Sequence, residues 1–431
     1  MKAVKGKNFF AGVHVPDMKH LASGAVCEVL PLPETVAISV SQSIGKPSIP
    51  CVEVGAKVKA GTLIAKADGA ISSNIVSSVS GEVTEIKEVK GTNGSKETCI
   101  FIKSDGLDEK QWLEPIENPT AEQIKQRICE AGIVGLGGAG FPTAVKASPR
   151  TPVDTLVLNG AECEPYLTCD HRIMIEKTDE VVRGARLLAK ASGCSNIIVG
   201  IEANKPDCIE AFEKYDDIKV VILKKQYPMG SEKQLIYVCT GKKVGLGKLP
   251  SDVGVIVNNV GTAFAVCEAV ELGKPLYESV ITVSGGAIAN PKNLWVRLGT
   301  PFSNIIDYCG GESVEPKKVV LGGPMTGAAL ASYDAYTKKT CAGILLMTEK
   351  ETSIEEPTPC LNCGKCADVC PMYLMPMNTA FYAAAGEFEL AGKLGGTMNC
   401  VECGACEYIC PAKRPLIQAI RKTKAELRKK M

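Results

Sequence analysis

The sequence predicts a multidomain chain of α/β and α+β class that ends in a small, cysteine-rich helical module. Three observations lead to this prediction. Short strands broken by glycine fill residues 27–105, strands and helices alternate over residues 120–257, and one cysteine pattern occurs twice after residue 359. With 431 residues and 45% apolar content, the chain is long enough to bury the cores of several domains.

The β-rich stretch near the start contains VEVGAKVKAGTLIA (52–65) and VSSVSGEVTEI (76–86), with turn residues at regular spacing. These phrases resemble the barrel-sandwich domain of biotinyl and lipoyl carriers. Such carriers present a lysine at a hairpin tip, and the corresponding stretch 67–78 has none. We therefore expect residues 1–115 to contain a barrel-sandwich domain with a structural or docking role.

Alternating elements follow. Thr120 is a predicted helix N-cap, and Gln123 completes a capping box. The pattern then predicts a three-layer α/β domain over 116–275, with strands at 155–158, 196–201, 220–223 and 254–257 and helices at 179–191 and 205–214. Short strands and glycine turns predict a β-grasp-like domain over 276–348, and the acidic, proline-bearing EKETSIEEPTP opens the last domain, 349–431.

The last domain carries two identical runs of cysteines, each followed by proline. The runs are Cys360, Cys363, Cys366 and Cys370, then Cys400, Cys403, Cys406 and Cys410. This spacing is that of two-cluster ferredoxins, whose fourth cysteine ligates the other cluster. We therefore expect two [4Fe-4S] clusters, the first held by Cys360, Cys363, Cys366 and Cys410 and the second by Cys400, Cys403, Cys406 and Cys370. Zinc is the alternative, although its sites usually use two CxxC pairs with a longer spacer. A disulfide framework suits a short secreted chain, which this is not.

Glycines at 135, 137 and 140 satisfy GxGxxG, with Gly138 between them. A dinucleotide fold of the usual kind needs a strand directly before the loop, and only Ile133 and Val134 precede it. The loop nevertheless predicts a phosphate site, because glycines admit backbone amides to a phosphate and Lys146 lies one turn into the next helix. The alternative is a tight turn that packs a helix on the sheet.

Charge and composition exclude several function classes. The net charge of +1 implies no nucleic-acid partner, and no stretch of eighteen uncharged apolar residues occurs. Single cysteines scattered outside the two runs suit a reducing cytoplasm. Residues 412–431 hold eight Lys and Arg against one Glu. This tail predicts docking to an acidic protein or an anionic membrane surface, or it is a solvated terminal helix.

Longer motifs occur in one order along the chain: GLGGAGFPTAVK (135–146), NGAECEPYLTCDHR (159–172), YPMGSEKQLIYVCTG (227–241), VNNVGTAFAV (257–266) and GGPMTG (322–327). Together with the twin cysteine runs, they resemble the NADH- and FMN-binding subunit of respiratory complex I. They are still more similar to the RnfC family, whose members belong to the Rnf complexes. The resemblance spans nearly the whole chain.

The resemblance implies specific roles. Gly135, Gly137, Gly138, Gly140 and Lys146 would contact the FMN phosphate and ribityl chain, and Asn159, Glu162, Asn258, Asn259 and Thr262 would hold the flavin, with Tyr227 and Gly230 nearby. Phe141 would lie against the NADH adenine, and Glu164 and Glu232 beside the nicotinamide nucleotide, with Glu164 in the catalytic role. For Glu162 and Glu164, exposure at a strand end is the alternative.

By the same resemblance, the chain would exchange a hydride between NAD(H) and noncovalent FMN and relay single electrons through two clusters. It would be a peripheral subunit on the cytoplasmic face of the membrane. Its partners would be membrane subunits that translocate Na+ or H+ and a ferredoxin-like subunit, with ferredoxin acting indirectly. Two alternatives are a soluble paralogue that feeds another reductase and an electron-carrier or docking protein without nucleotide chemistry.

Overall fold

The computed structural model describes residues 2–92, 94–138, 140–352 and 355–430. The strands are β1 (Val4–Lys5), β2 (Glu28–Val29), β3 (Thr35–Ser39), β4 (Ile49–Pro50), β5 (Lys57–Val58), β6 (Leu63–Lys66), β7 (Ile75–Val76), β8 (Gly81–Lys90), β9 (Lys96–Ser104), β10 (Thr155–Gly160), β11 (Asn196–Glu202), β12 (Ile218–Leu223), β13 (Val255–Asn259), β14 (Glu278–Ser284), β15 (Lys292–Arg297), β16 (Lys318–Leu321), β17 (Ala328–Leu330) and β18 (Gly343–Met347). The helices are α1 (Ala121–Glu130), α2 (Thr143–Lys146), α3 (Cys169–Glu176), α4 (Thr178–Ser192), α5 (Pro206–Phe212), α6 (Glu232–Thr240), α7 (Val260–Cys267), α8 (Phe302–Tyr308), α9 (Lys365–Asp368), α10 (Pro376–Ala384), α11 (Phe388–Gly395), α12 (Ala405–Tyr408) and α13 (Leu416–Lys429). Within these described residues, no helix is both long enough and apolar enough to span a bilayer.

The central α/β domain is built on a parallel sheet in the order β1-β12-β11-β10-β13. Its strands read as continuous apolar runs because helices cover both faces. One face packs against α1, α3, α4, α5 and α7, and the other packs against α6. The predicted capping box of Thr120 and Gln123 is present at the start of α1. The three-layer prediction is confirmed.

The first thirty residues fold with other domains. Strand β1 adds to the edge of the α/β sheet beside β12, and β2 pairs with β15 of the β-grasp sheet. The barrel-sandwich domain itself begins at β3 and consists of two small sheets, β3-β9-β8-β5 and β4-β6-β7. The pairing of β1 and β2 with other domains has no signal in the sequence, because two-residue strands have no periodicity.

The β-grasp domain is a mixed sheet in the order β17-β16-β18-β14-β15-β2. Helix α8 packs on it through Phe302, Ile305 and Ile306, which are buried with Ile281 and Ile344 of the strands. The domain lies against the α/β domain, since Thr168 at the start of α3 donates hydrogen bonds to Thr282 of β14 and Asn293 of β15.

The cysteine module is an internal repeat with an offset of 40 residues that extends to the backbone. Left-handed residues Asn362, Gly364 and Tyr373 (φ 53°, 77° and 54°) recur as Glu402, Gly404 and Lys413 (φ 54°, 80° and 50°). Each run of three cysteines therefore follows the same tight path before a short helix, α9 or α12. The hairpin of α10 and α11 lies between the two halves and packs against α13.

Gly273 ends the helical turn that follows α7. Its carbonyl accepts from the Leu113 amide, in the segment that joins the barrel-sandwich and α/β domains. Its φ is 71°, and an added Cβ would lie 1.6 Å from the Leu113 carbonyl oxygen. We expect Gly273→Ala to lower the free energy of unfolding by about 3 kcal/mol, from left-handed strain plus overpacking. Gly193→Ala is the control, because Gly193 has φ 79° with no heavy atom within 4 Å of its Cβ position. It should cost only the strain, about 1 kcal/mol, in the same denaturant titration. Equal costs would contradict the close approach.

Candidate functional site

The site forms where β10 and β13 lie side by side. From β10 the chain crosses to β11 on one side, whereas β13 lies on the other side. Ligands of open α/β sheets bind at such a switch point, beyond the carboxyl ends of the strands. Asn159 lies at the end of β10 there, and Asn258 and Asn259 end β13. The sheet topology thus brings together three of the residues singled out in the sequence.

The glycine loop closes over this point. An isolated bridge joins Val134 to Pro142, and the amide of Gly135 donates to the Phe141 carbonyl at 2.8 Å. The amide of Leu136 donates to the Thr262 hydroxyl at 3.0 Å, which ties the loop to α7. Ala139 lies outside the described residues. The loop is therefore held at its base by its own backbone and at its side by α7.

At two positions of this loop, the structure explains why the residue is glycine. A Cβ on Gly137 would lie 3.2 Å from the Cβ of Asn259, so the loop rests directly on that asparagine. Gly138 has φ 126° and nothing within 4 Å of its Cβ position, so its outer side is open. No strand precedes the loop among the described residues, and the helix after it, α2, has only four residues. The absence of the usual dinucleotide geometry is as the sequence predicted.

Lys146 extends from α2 toward the strand ends. Its ammonium donates to Glu232 Oε1 at 2.9 Å and to the Val257 carbonyl at 2.8 Å. Both Lys146 and Glu232 are partly exposed, with 30% and 40% of their side chains accessible. The pair brings a cation and a carboxylate to one edge of the site, where a ligand can exchange with either.

The loop after β10 is organised by a lysine from the N-terminal segment. Lys19 is buried, and its ammonium donates to the carbonyls of Glu164 (3.0 Å) and Leu167 and lies 3.5 Å from Glu162 Oε2. The side chain of Glu162 is 3% exposed, which excludes the surface alternative for this residue. Its other oxygen accepts from the Asp170 amide at 2.7 Å. Neither Lys19 nor Asp170 was singled out in the sequence, because long-range ion pairs leave no spacing signal.

Two buried side-chain donors at the switch point and the glycine loop have no hydrogen-bond partner within the described chain. They are Asn258 Nδ2 and Thr143 Oγ1. Leaving a buried donor or acceptor unpaired costs about 1–3 kcal/mol each. Together with the open side of Gly138 and the lysine at the rim, these atoms fit a polar ligand that carries a phosphate. The residues present therefore fit FMN.

Glu164 faces the β-grasp domain. Its carboxylate accepts from the Met325 amide at 3.0 Å and from the Thr326 hydroxyl. Gly323 is needed at this contact, since a Cβ there would lie 2.2 Å from Glu164 Oε2. Burial raises the pKa of Glu164. The GGPMTG motif thus closes over the carboxylate that the sequence assigned to catalysis.

Tyr227 and Gly230 lie on the opposite side of the loop after β10. Asn159 Nδ2 donates to the Gly230 carbonyl at 2.9 Å, which places Gly230 beside the strand ends. The Tyr227 hydroxyl instead donates to the Cys403 carbonyl at 2.6 Å. Phe141 is half-buried next to the glycine loop. Tyr227 therefore contacts the cysteine module rather than the glycine loop.

The eight cysteines of the module fall into two groups. Cys370, Cys400, Cys403 and Cys406 line one cavity with an empty volume of about 390 Å³, open mouth included. Burial raises the pKa of the Cys400, Cys403 and Cys406 thiols, and the nearby Cys370 sulfur raises it further. The fourth cysteine of the first run thus lies with the three of the second.

Cys410 lies with the other run. Burial raises the pKa of Cys366, and the Cys410 thiol adds to that effect. Cys360 and Cys363 are exposed, so this group is at the surface. The two groups lie next to each other, since the Cys366 sulfur also raises the pKa of the Cys406 thiol. Backbone amides of Asn362 and Glu402 donate to the sulfurs of Cys360 (3.5 Å) and Cys400 (3.3 Å), contacts of the kind that tune cluster potentials.

The cavity group faces the α/β domain. Besides the Tyr227 contact, Gln234 of α6 donates to the Pro371 carbonyl at 2.9 Å, and the amide of Gly12 donates to the Val369 carbonyl at 2.9 Å. A Cβ on Gly404 would lie 2.5 Å from the Met325 carbonyl oxygen. The loops of Cys370 and Cys403 are therefore parts of the module that dock against the rest of the chain.

Four family models match successive parts of the chain. They are the RnfC barrel sandwich hybrid domain (7–107), the Nuo51 FMN-binding domain (128–268), the SLBB domain (280–329) and a 4Fe-4S dicluster domain (359–414). These matches confirm the predicted fold class, and with it FMN and two [4Fe-4S] clusters as the cofactors. The fold and its two sites define a flavin-binding iron–sulfur protein.

Curated relatives specify the family. The C subunit of the proton-translocating ferredoxin:NAD(+) oxidoreductase complex of Clostridium ljungdahlii is 44% identical over 98% of this chain and 94% of its own length. The C subunit of the Na(+)-translocating complex of Acetobacterium woodii is 42% identical over 98% of both chains. The C subunit of the ion-translocating oxidoreductase complex of Rhodobacter capsulatus is 41% identical over 96% of this chain and 82% of its own. The chain belongs to the RnfC family, which supplies the C subunits of these complexes.

Among solved structures, an NAD+-reducing [NiFe]-hydrogenase in the air-oxidized state is similar to this chain. The identity is 19% with a TM-score of 0.48, over 70% of this chain and 64% of the other. At that distance the similarity adds no argument about function.

Proposed function

We propose that this chain takes electrons from NADH at the β10–β13 switch point and passes them through the cysteine module to a partner subunit. Two observations together support this proposal. Asn258 Nδ2 at the end of β13 and Thr143 Oγ1 after the glycine loop are buried donors without a partner in the described chain, and the cysteine group that contacts the α/β domain lines its own cavity. Bound FMN would supply the conversion of a two-electron donor into single electrons.

For FMN, the glycine loop offers backbone amides and Lys146 offers a charge, as a phosphate requires. Asn258 Nδ2 and Thr143 Oγ1 are donors without a partner in the described chain, and they would gain one from the flavin. Asn259 is committed elsewhere, because its Oδ1 accepts from the amides of Gly261 and Thr262. Its role is to fix the start of α7 against the glycine loop.

For NADH, we assign Phe141 to the adenine, and Glu164 and Glu232 to the ribose hydroxyls or the carboxamide of the nucleotide. Carboxylates accept hydrogen bonds from hydroxyls and disfavour the extra 2′-phosphate of NADPH. Glu164 reaches this position only when the GGPMTG loop releases it or when the ligand replaces Thr326. The β-grasp domain would therefore close on the nucleotide side of the site.

For the clusters, crossed ligation is supported by the grouping of Cys370 with the second run and of Cys410 with Cys366. The cluster of Cys370, Cys400, Cys403 and Cys406 would receive electrons first, because its loops contact the α/β domain through Tyr227 and Gln234. The surface cluster would then deliver them outward through the exposed Cys360 and Cys363.

By family, the receiving partner is another subunit of an ion-translocating ferredoxin:NAD(+) oxidoreductase complex. We propose a peripheral position at the cytoplasmic face of the membrane, with ferredoxin linked through the other subunits. The relatives named above belong to a proton-translocating complex in one case and a Na(+)-translocating complex in another. Either ion is compatible with this chain, whose part would be the redox reaction.

Replacement of Glu164 tests the nucleotide assignment. We expect Glu164→Ala in the reconstituted chain to raise the NADH concentration needed for half-maximal flavin reduction by about tenfold, the loss of one charged hydrogen bond. Iron and FMN contents should remain unchanged. The measurement is anaerobic stopped-flow bleaching of the flavin against NADH concentration.

A matched control is Thr326→Val, which removes the hydroxyl that binds Glu164 and keeps the carboxylate. It should leave NADH reduction intact or strengthen it. If both variants weakened the reaction equally, Glu164 would act only by anchoring the GGPMTG loop. A reconstituted wild-type chain that held iron but neither FMN nor NADH-dependent reduction would favour the electron-carrier alternative.

A further inference from the structure

Behind the start of α7 lies a buried group of charges that the proposed electron path does not use. It contains three carboxylates, Glu162, Asp170 and Glu202, and two ammonium groups, Lys19 and Lys205. Glu162 is 3.5 Å from Lys19, and Glu202 is 3.7 Å from Lys205. With two cations for three carboxylates, the group is neutral only if one carboxylate holds a proton.

Asp170 is the carboxylate without a cation of its own. Within the described residues, its Oδ2 accepts from the neutral amide of Asn259 at 2.7 Å, and no ion pair reaches it. Its own backbone amide donates to Glu162 Oε1, so a second carboxylate lies close to Asp170. The neighbouring Cys169 thiol is buried and adds no positive charge. Of the three carboxylates, Asp170 therefore has the negative charge that nearby cations offset least, and a proton that enters the group binds there.

Asp170 also has a close link to the glycine loop. Asn259 donates to Asp170 with its amide nitrogen while its amide oxygen caps α7. The same asparagine supports Gly137, whose Cβ position is 3.2 Å from Asn259 Cβ. A change in the charge of a ligand bound at this loop therefore changes the electrostatic potential at Asp170, because only the Asn259 side chain lies between them.

We propose that Asp170 is ionised while the flavin is oxidised and takes up a proton when the flavin is reduced. The inference rests on the proposed function, since it requires FMN at the switch point. The electrons pass from the reductant to the flavin; the proton is taken from the buffered solvent, where the conjugate base of the buffer remains, and forms an O–H bond on the Asp170 carboxyl group. Asp170 would be a positioning residue that offsets the negative charge of the reduced flavin.

The electrostatics are consistent with this role. Burial and then the Glu162 carboxylate raise the pKa of Asp170 to about 7, against the lowering effects of Asn259, Lys205 and Lys19. Added negative charge nearby raises an acid's pKa further. At pH 8 the group is therefore poised to change from mostly ionised to mostly protonated on reduction. Burial also raises the pKa of Glu202 to about 7, so Glu202 is the competing site.

The test is a reduced-minus-oxidised infrared difference spectrum of the full reconstituted chain at pH 8. We expect a protonated-carboxyl stretching band to appear on reduction in the wild type and to be lost in Asp170→Asn, with FMN still bound. Asp207→Asn is the matched control, since Asp207 is half-exposed on α5 and pairs with His171 outside this group. It should keep the band.

Each other outcome contradicts the proposal. A band that survives Asp170→Asn and disappears in Glu202→Gln would assign the proton to Glu202. If the wild type showed no band with FMN bound and reduced, the proposed proton uptake would be wrong. This result does not depend on whether Asp170→Asn folds. A wild-type chain that bound no FMN would instead overturn the proposed function itself.

Discussion

Cys370→Ser is expected to stop electrons at the flavin. Cys370 lines the cavity with the second cysteine run, and the loop that follows it contacts α6 through Pro371 and Gln234. Loss of this ligand should remove the cluster nearest the α/β domain and about half of the bound iron. NADH should then still bleach the flavin, while reduction of the remaining cluster should be lost.

Cys410→Ser is the matched partner of this experiment. It should also remove about half of the iron, but from the surface cluster near Cys366. NADH should then reduce both the flavin and the remaining cluster, and only delivery to an external acceptor should fail. Iron content, rapid-mixing absorbance and electron paramagnetic resonance of the reduced chain report these steps. If the two serine variants exchanged behaviour, each run would bind its own fourth cysteine and the crossing would be wrong.

Gly137→Val is expected to abolish most FMN binding. The Cβ of residue 137 would already lie 3.2 Å from Asn259 Cβ, so two further methyl groups must displace that side chain or the loop. Overpacking of this kind costs about 1–3 kcal/mol. Since about 1.4 kcal/mol corresponds to tenfold in affinity, FMN binding should weaken roughly 5- to 150-fold. Fluorescence quenching of FMN on titration with the flavin-free chain measures it.

Gly24→Val is the control for a branched residue at a glycine, because Gly24 has nothing within 4 Å of its Cβ position. It should bind FMN as the wild type does. Moving Asn259 also disturbs the cap of α7, which is worth about 1 kcal/mol of stability. A Gly137→Val chain that lost stability but bound FMN normally would place the flavin away from this loop.

Much of this architecture was readable in the sequence because it depends on local signals. The capping box at Thr120, the alternation of strands and helices and the repeated cysteine spacing each constrain neighbouring residues. The limits of the α/β elements were accordingly predicted to within about two residues at most ends. The lack of a strand before Gly135 was also correctly predicted, because it follows from the helix that ends just upstream.

What the sequence did not disclose depends on contacts between distant residues. Lys19 reaches Glu162 across more than a hundred positions, and Tyr227 bonds to Cys403 across a similar gap. Such pairs have no periodicity and no motif. The same holds for β1, whose two residues join the α/β sheet only because β12 offers a free edge. The contacts that connect the domains were therefore the part that only the structure could supply.

The most direct test of the electron path is anaerobic rapid mixing of NADH with the chain reconstituted with iron, sulfide and FMN. Absorbance of the flavin and of the clusters is followed together. We expect the flavin to be bleached first and cluster reduction to follow it, with no cluster reduction in the FMN-free chain. Reduction of the clusters by NADH without FMN, or FMN-loaded chain that fails to react with NADH, would contradict it.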